Sequence, residues 1–167
     1  MGVVFVLCGK TGSGKSTLAK FISNQYAAVS FSADAFMLKL FGEINDRNMF
    51  DAKLAMCKSL IYDISDNVLQ YANVVFDFGF WTKEERNYII NRFSGHKVII
   101  IYMKLDDAMI LERLSFRNSH LGEGEYYINE NTFFLLSTKF EEPDQTETYI
   151  QYKNIDNLVL DLKKWNL

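Results

Sequence analysis

Short apolar runs alternate with longer amphipathic ones along the whole chain. Residues 3–8, 74–78 and 98–102 are nearly unbroken stretches of branched and aromatic side chains, too short for helices. Such stretches suit strands covered on both faces, which have no side to present to water. Weaker strand patterns lie at 28–32 and 148–152. Between them the spacing turns helical. Leu18, Phe21 and Ile22 share one side of a helix expected at 14–25. Phe50, Leu54, Cys57, Leu60, Ile61, Ile64 and Val68 recur at three-and-four spacing through 46–70, and Ile110, Leu111 and Leu114 do so through 107–116. Shorter helices are expected at 35–40, 83–93, 132–140 and 157–165. The one at 83–93 opens on a capping box, Thr82 with Glu85 three residues on, and stops at Gly95.

Strands alternating with helices build βαβ units, so the expected class is α/β with a parallel sheet. Crossovers in such sheets are right-handed, and ligands sit beyond the carboxyl ends of the strands. Chemistry is therefore to be sought just after each strand.

The length, 167 residues, fits one domain spanning 1–167, and an apolar share of 49% supports a real core rather than disorder. A net charge of −3 argues against sequence-blind binding to nucleic acid or anionic membrane, although it leaves a local basic site open. The two cysteines, Cys8 and Cys57, have neither metal spacing nor a disulfide framework. Cys8 reads as a small buried hydrophobe, and a reducing, cytoplasmic setting is the expectation. No apolar stretch reaches membrane-spanning length, and the run before Cys8 is too short for a signal segment.

Directly after the first strand stands Gly9-Lys10-Thr11-Gly12-Ser13-Gly14-Lys15-Ser16-Thr17, the Walker A pattern G-x-x-x-x-G-K-[ST]. Its glycines let the backbone curl until several N–H groups face one anion. The helix that follows aims its positive end at the same point. In this pattern Lys15 meets the β- and γ-phosphates of a nucleotide, and the Ser16 hydroxyl ligates Mg²⁺. ATP and Mg²⁺ are the cofactors expected.

The other strand ends add candidates. Asp34 follows the second strand, where a carboxylate suits a general base for an acceptor hydroxyl; it also suits a helix N-cap, a role Ser32 could equally fill. Asp77 ends the third strand after Val74, Val75 and Phe76, the Walker B arrangement that holds the metal. Arg86, one turn into the next helix, is either a substrate contact or a solvated side chain. Arg113 and Arg117 share a helix face and repel each other, and an anion between them relieves that repulsion. The polar stretch after them, with Gly122 and Gly124, reads as the hinge of a cap.

In order, GKTGSGKST, SADAF, VVFDFGFWTKEER, LERLSFRN and FEEPDQTE resemble the small P-loop predicted kinases grouped under an AAA-type label. Those are similar to chloramphenicol phosphotransferase, zeta toxins and polynucleotide kinase domains. The resemblance covers nearly the whole chain. It implies a three-layer fold with a five-stranded parallel sheet of order 2-3-1-4-5 and a helical lid at about 116–130. It also implies Asp34 as general base, Arg113 and Arg117 as lid arginines, and a segment at 140–147 in which Phe140 or a neighbour contacts the nucleotide base. Relatives often carry an arginine soon after the strand-two aspartate. Here Ala35, Phe36 and Met37 follow, with Lys39 the first cation. The expected acceptor is thus a small, uncharged or partly apolar hydroxyl compound. A polynucleotide 5′-hydroxyl kinase is the first alternative, and a nucleotide-dependent switch or ATPase the second. GTPase and ABC readings lack their motifs, N-K-x-D and the signature loop.

Overall fold

A computed structural model describes residues 2–122 and 125–167. Twelve elements alternate along them: β1 (Val3–Cys8), α1 (Lys15–Gln25), β2 (Ala28–Phe31), α2 (Ala33–Phe41), α3 (Arg47–Val68), β3 (Asn73–Phe76), α4 (Lys83–Arg92), β4 (Lys97–Tyr102), α5 (Asp107–Asn118), α6 (Glu130–Ser137), β5 (Ile150–Gln151) and α7 (Ile155–Lys164). The strands form one five-stranded parallel sheet of order β2-β3-β1-β4-β5. β1 lies in the middle, with Phe5 level with Val75 of β3 and Ile99 of β4.

The pleat divides the core in two. Val4, Val6 and Cys8 face one side, where Phe76 and Tyr102 meet Ile61 and Tyr62 of α3, Ile89 of α4 and Phe93 just past its end. Val3, Phe5 and Leu7 face the other, against Leu18 and Ile22 of α1 and Leu158 and Leu162 of α7. All six side chains of β1 are buried, which explains a run with no polar alternation. A third, smaller cluster of Ile110, Leu114 and Phe133 ties α5 to α6. Among the described residues no helix is long and apolar enough to cross a membrane.

Element ends differ from expectation by up to three residues. α6 starts at Glu130 because the Asn129 side chain caps it, accepting from the Thr132 N–H at 2.8 Å, and it ends at Ser137 rather than 140. β5 keeps only two residues, since it is an edge strand paired to β4 alone. Asp77 lies one residue past β3, with its N–H on the Phe31 carbonyl at 2.8 Å. Of the expected hinge glycines, Gly124 lies outside the described residues.

Candidate active site

The loop from Gly9 to Gly14 leaves β1 at the centre of the carboxyl edge and delivers the chain into α1. Gly12 and Gly14 have φ of 79° and 97°, in the left-handed region. At Gly12 a Cβ would also stand 2.8 Å from Ile110 and 2.9 Å from Leu114, so glycine there seats α5 on the loop. Ser13 N–H reaches back to the Lys10 carbonyl and Gly9 N–H to the Gly79 carbonyl, both at 3.3 Å. Lys15 folds over the loop, its Nζ donating to the carbonyls of Gly9 at 3.0 Å and Lys10 at 2.7 Å. Lys10 itself is tied to Asp107 at 2.6 Å. Ser16 and Thr17 are exposed at the start of α1.

Asp34 and Asp77 bracket Lys15 electrostatically. Burial pushes the Lys15 ammonium below its usual range, while Asp77 and then Asp34 support its charge. Burial also pushes the Asp77 carboxyl up, opposed by a hydrogen bond from the Ser16 hydroxyl and by Lys15. Asp34 is exposed to solvent, yet the protein packed around it raises its carboxyl too. Lys15 pulls it back, Asp77 pushes the same way as burial, and Lys58 and Arg117 also pull it down. The cap of α2 is Ser32, whose hydroxyl accepts from the Ala35 N–H at 3.3 Å. Asp34 is thereby free of the capping role. Ser16 and Asp77 present a hydroxyl and a carboxylate side by side, a hard-oxygen pair that suits Mg²⁺, which keeps most of its waters.

Arg113 and Arg117 approach from α5. Arg113 Nη1 stands 3.5 Å from the Ser13 carbonyl, and a Cβ on Gly14 would lie 3.4 Å from it. Arg117 donates through Nη2 to the Tyr126 carbonyl at 3.1 Å, while its Nε is shut off from solvent without a partner. Beside the loop on the β4 side lies a cavity of about 280 Å³, lined by Lys10, Tyr102, Asp107, Phe140 and Glu142 among others. Phe140 stacks on Tyr102 there, ring centroids 6.1 Å apart.

Arg86 corrects the sequence reading in both its forms. It is neither solvated nor turned to a ligand; it is fully buried. Its Nε donates to Glu147 Oε2 at 2.6 Å and Nη2 to Oε1 at 2.9 Å, while Nη1 donates to the carbonyls of Phe80 at 3.1 Å and Glu141 at 2.9 Å. The partner lies 61 residues away, so local pattern could not reveal it. The pair pins the segment between α6 and β5 onto α4. Cys8 lies beside it, its thiol pushed up to about 11 by burial, with Arg86 and Lys15 pulling the other way. Arg86→Ala strands the Glu147 carboxylate and is expected to cost about 3–5 kcal/mol in urea unfolding. A loss under about 1 kcal/mol would show that the pair holds nothing together.

No curated protein matches the chain. Solved structures do, at low identity. A candidate kinase from Chloroflexus aurantiacus superposes with a TM-score of 0.73 at 15% identity, covering 99% of this chain and 95% of that one. A gluconokinase from Sinorhizobium meliloti gives 0.68 at 14%, covering 98% and 93%. Kti12 from Chaetomium thermophilum, solved with ADP-AlF3, gives 0.69 at 14%, covering 98% and 97%. At such identity these likenesses establish the P-loop kinase-like fold. A family model described as an AAA domain matches residues 4–143, and the chain belongs to that family.

Proposed function

We propose that this protein transfers the γ-phosphoryl group of ATP to a hydroxyl of a small-molecule acceptor, within one domain spanning 1–167. The observation that carries this reading is the placement of two acidic residues, Asp34 and Asp77, just past the carboxyl ends of the adjacent strands β2 and β3, next to β1 and the loop that bears Lys15. A nucleotide switch needs a lysine and a metal-holding carboxylate. A second carboxylate at the end of the neighbouring strand is what transfer to an alcohol adds, because the acceptor must lose a proton.

The loop residues Gly9, Lys10, Thr11, Gly12, Ser13, Gly14, Lys15, Ser16 and Thr17 hold the phosphates through backbone N–H groups and the Lys15 ammonium. Ser16 and Asp77 would hold Mg²⁺, which when bound would neutralise phosphate charge. Arg113 and Arg117 neutralise the transferred group from the other side. As the acceptor oxygen bonds to the γ-phosphorus, the bond to the oxygen retained by ADP breaks. The acceptor proton passes to the Asp34 carboxylate. The kinase-like fold, shared with a gluconokinase, supports transfer to a small acceptor.

The test is transfer of labelled γ-phosphate from ATP with Mg²⁺ across a panel of nucleosides, DNA and RNA 5′-ends, sugars, sugar acids and aminoglycosides. A labelled small-molecule product is expected. Labelled nucleic acid alone would replace this reading with a 5′-hydroxyl kinase. Free phosphate released equally with every acceptor would replace it with a switch.

A further inference from the structure

Phe80 has φ of 44°, in the left-handed region where an aromatic residue is rarely found. Such a conformation persists only where its surroundings over-determine it, and it gathers at functional turns. Phe80 follows Asp77, Phe78 and Gly79 in the turn from β3 to α4. That turn belongs to the site. The Gly79 carbonyl accepts the N–H of Gly9, first residue of the phosphate loop, at 3.3 Å, and the Asp77 N–H is fixed to β2 through the Phe31 carbonyl at 2.8 Å.

Contacts close in on the left-handed residue from several elements. The Phe80 ring is buried and stacks on Phe78, centroids 5.3 Å apart. Its carbonyl accepts from Arg86 Nη1 at 3.1 Å and from the Cys8 thiol at 3.5 Å. On the next residue the Trp81 N–H donates to Glu85 Oε2 at 2.8 Å, and the Trp81 carbonyl accepts the Glu141 N–H at 2.8 Å. Arg86 Nη1 also reaches the Glu141 carbonyl at 2.9 Å, while Nε and Nη2 are taken up by the two oxygens of Glu147. The planar fork is therefore fixed in rotation, and Nη1 is aimed. A well-packed apolar pair would join the two segments as firmly as this buried ion pair does. What the pair adds is direction: one nitrogen held on the Phe80 carbonyl.

We propose that Arg86 is a positioning residue for nucleotide binding. Oriented by Glu147, it holds Phe80 left-handed. The turn so held keeps the Gly79 carbonyl on the Gly9 N–H and sets the start of the phosphate loop relative to Asp77. Arg86 acts through the turn and touches no ligand. This rests on the loop from Gly9 to Thr17 being the nucleotide site, and not on the transfer step.

The test is calorimetric titration with Mg²⁺ and AMPPNP, an ATP mimic that is not transferred, at a temperature where circular dichroism and urea unfolding show each variant folded. Arg86→Lys should weaken binding per folded molecule about tenfold or more. Leu162→Ala, which opens a cavity in the core on the other face of the sheet, should lose stability and bind as the parent does. Phe80→Gly and Phe80→Pro both remove the ring and leave the Arg86–Glu147 pair in place. Glycine accepts a positive φ, whereas proline is locked at about −65°. Phe80→Pro should accordingly bind about tenfold or more weakly than Phe80→Gly. Should Arg86→Lys fail to fold, Glu147→Gln, which keeps the arginine and loosens its fork, takes its place with the same expectation. Binding by the Arg86 or Glu147 variant equal to the parent's, or equal binding by the two Phe80 variants, overturns the proposal. So does a Phe80 variant that no longer folds, because the turn then serves the fold rather than the site. A parent protein that binds no AMPPNP fails the loop reading itself, and the proposal falls with it. Transfer that fails while these differences hold retires only the kinase reading.

Discussion

Lys15→Ala is expected to lower turnover by on the order of 10³-fold and to remove saturable ATP binding in the working range. The effect exceeds the loss of one contact because Lys15 stands between two carboxylates whose charged forms it supports. Without it, Asp77 is raised further, and metal binding weakens as its ligand becomes harder to ionise. The loop itself should survive. Its shape is held by the Ser13-to-Lys10 and Gly9-to-Gly79 backbone hydrogen bonds and by positive φ at Gly12 and Gly14, none of which needs the side chain. Circular dichroism and urea unfolding should therefore match the parent protein, while isothermal titration with ATP and Mg²⁺ shows no binding. Turnover retained within about tenfold would mean that the loop is not the phosphate site.

What the sequence shows depends on how locally each feature is encoded. The phosphate loop is one continuous segment, so glycine positions, lysine and flanking elements were all legible together. β1 and β4 were legible because burial on both faces leaves an unbroken apolar run. The short β5 was legible in place, within the pattern at 148–152, but not in length, since an edge strand of two residues leaves little pattern. α6 was found where expected but with both ends read late, because its apolar residues extend further toward 140 than its hydrogen bonds do and the cap at Asn129 precedes them. Arg86 was misread for another reason: its role depends on Glu147, and chain-distant pairing has no periodic signature. The same holds for Lys58. On α3 it is one polar residue in a helical repeat, and only the meeting of α3 with α4 in space pairs it with Glu85. Roles carried by local geometry were readable; roles carried by encounters across the sheet edge were not.

Asp34→Asn is expected to lower turnover by roughly 10²–10⁴-fold while leaving ATP affinity nearly unchanged. Asparagine keeps the shape and cannot take the acceptor proton. It also leaves the Ser32 cap of α2 intact. The pH behaviour separates this role from a merely electrostatic one. The Asp34 carboxyl is held above its ordinary range by burial, with Asp77 adding to it, so parent turnover should fall on acidification before an ordinary carboxylate would protonate. In Asp34→Asn that acidic limb should vanish from the residual activity. Stability should move in the opposite sense. A carboxyl whose folded pKa lies above its unfolded value favours the fold most when protonated. That contribution is complete below the unfolded pKa and is lost as pH rises through the folded one. The stability of the parent relative to Asp34→Asn should accordingly be greatest in acid and decline toward neutrality, where the ionised carboxylate is a cost the asparagine avoids. A site that destabilises the empty fold at working pH but is needed for turnover is the mark of a base held ready for a proton. If Asp34→Asn keeps full turnover, or if the stability difference grows rather than shrinks with rising pH, Asp34 is not that base, and the site reduces to Lys15, Ser16 and Asp77, the set a nucleotide switch requires.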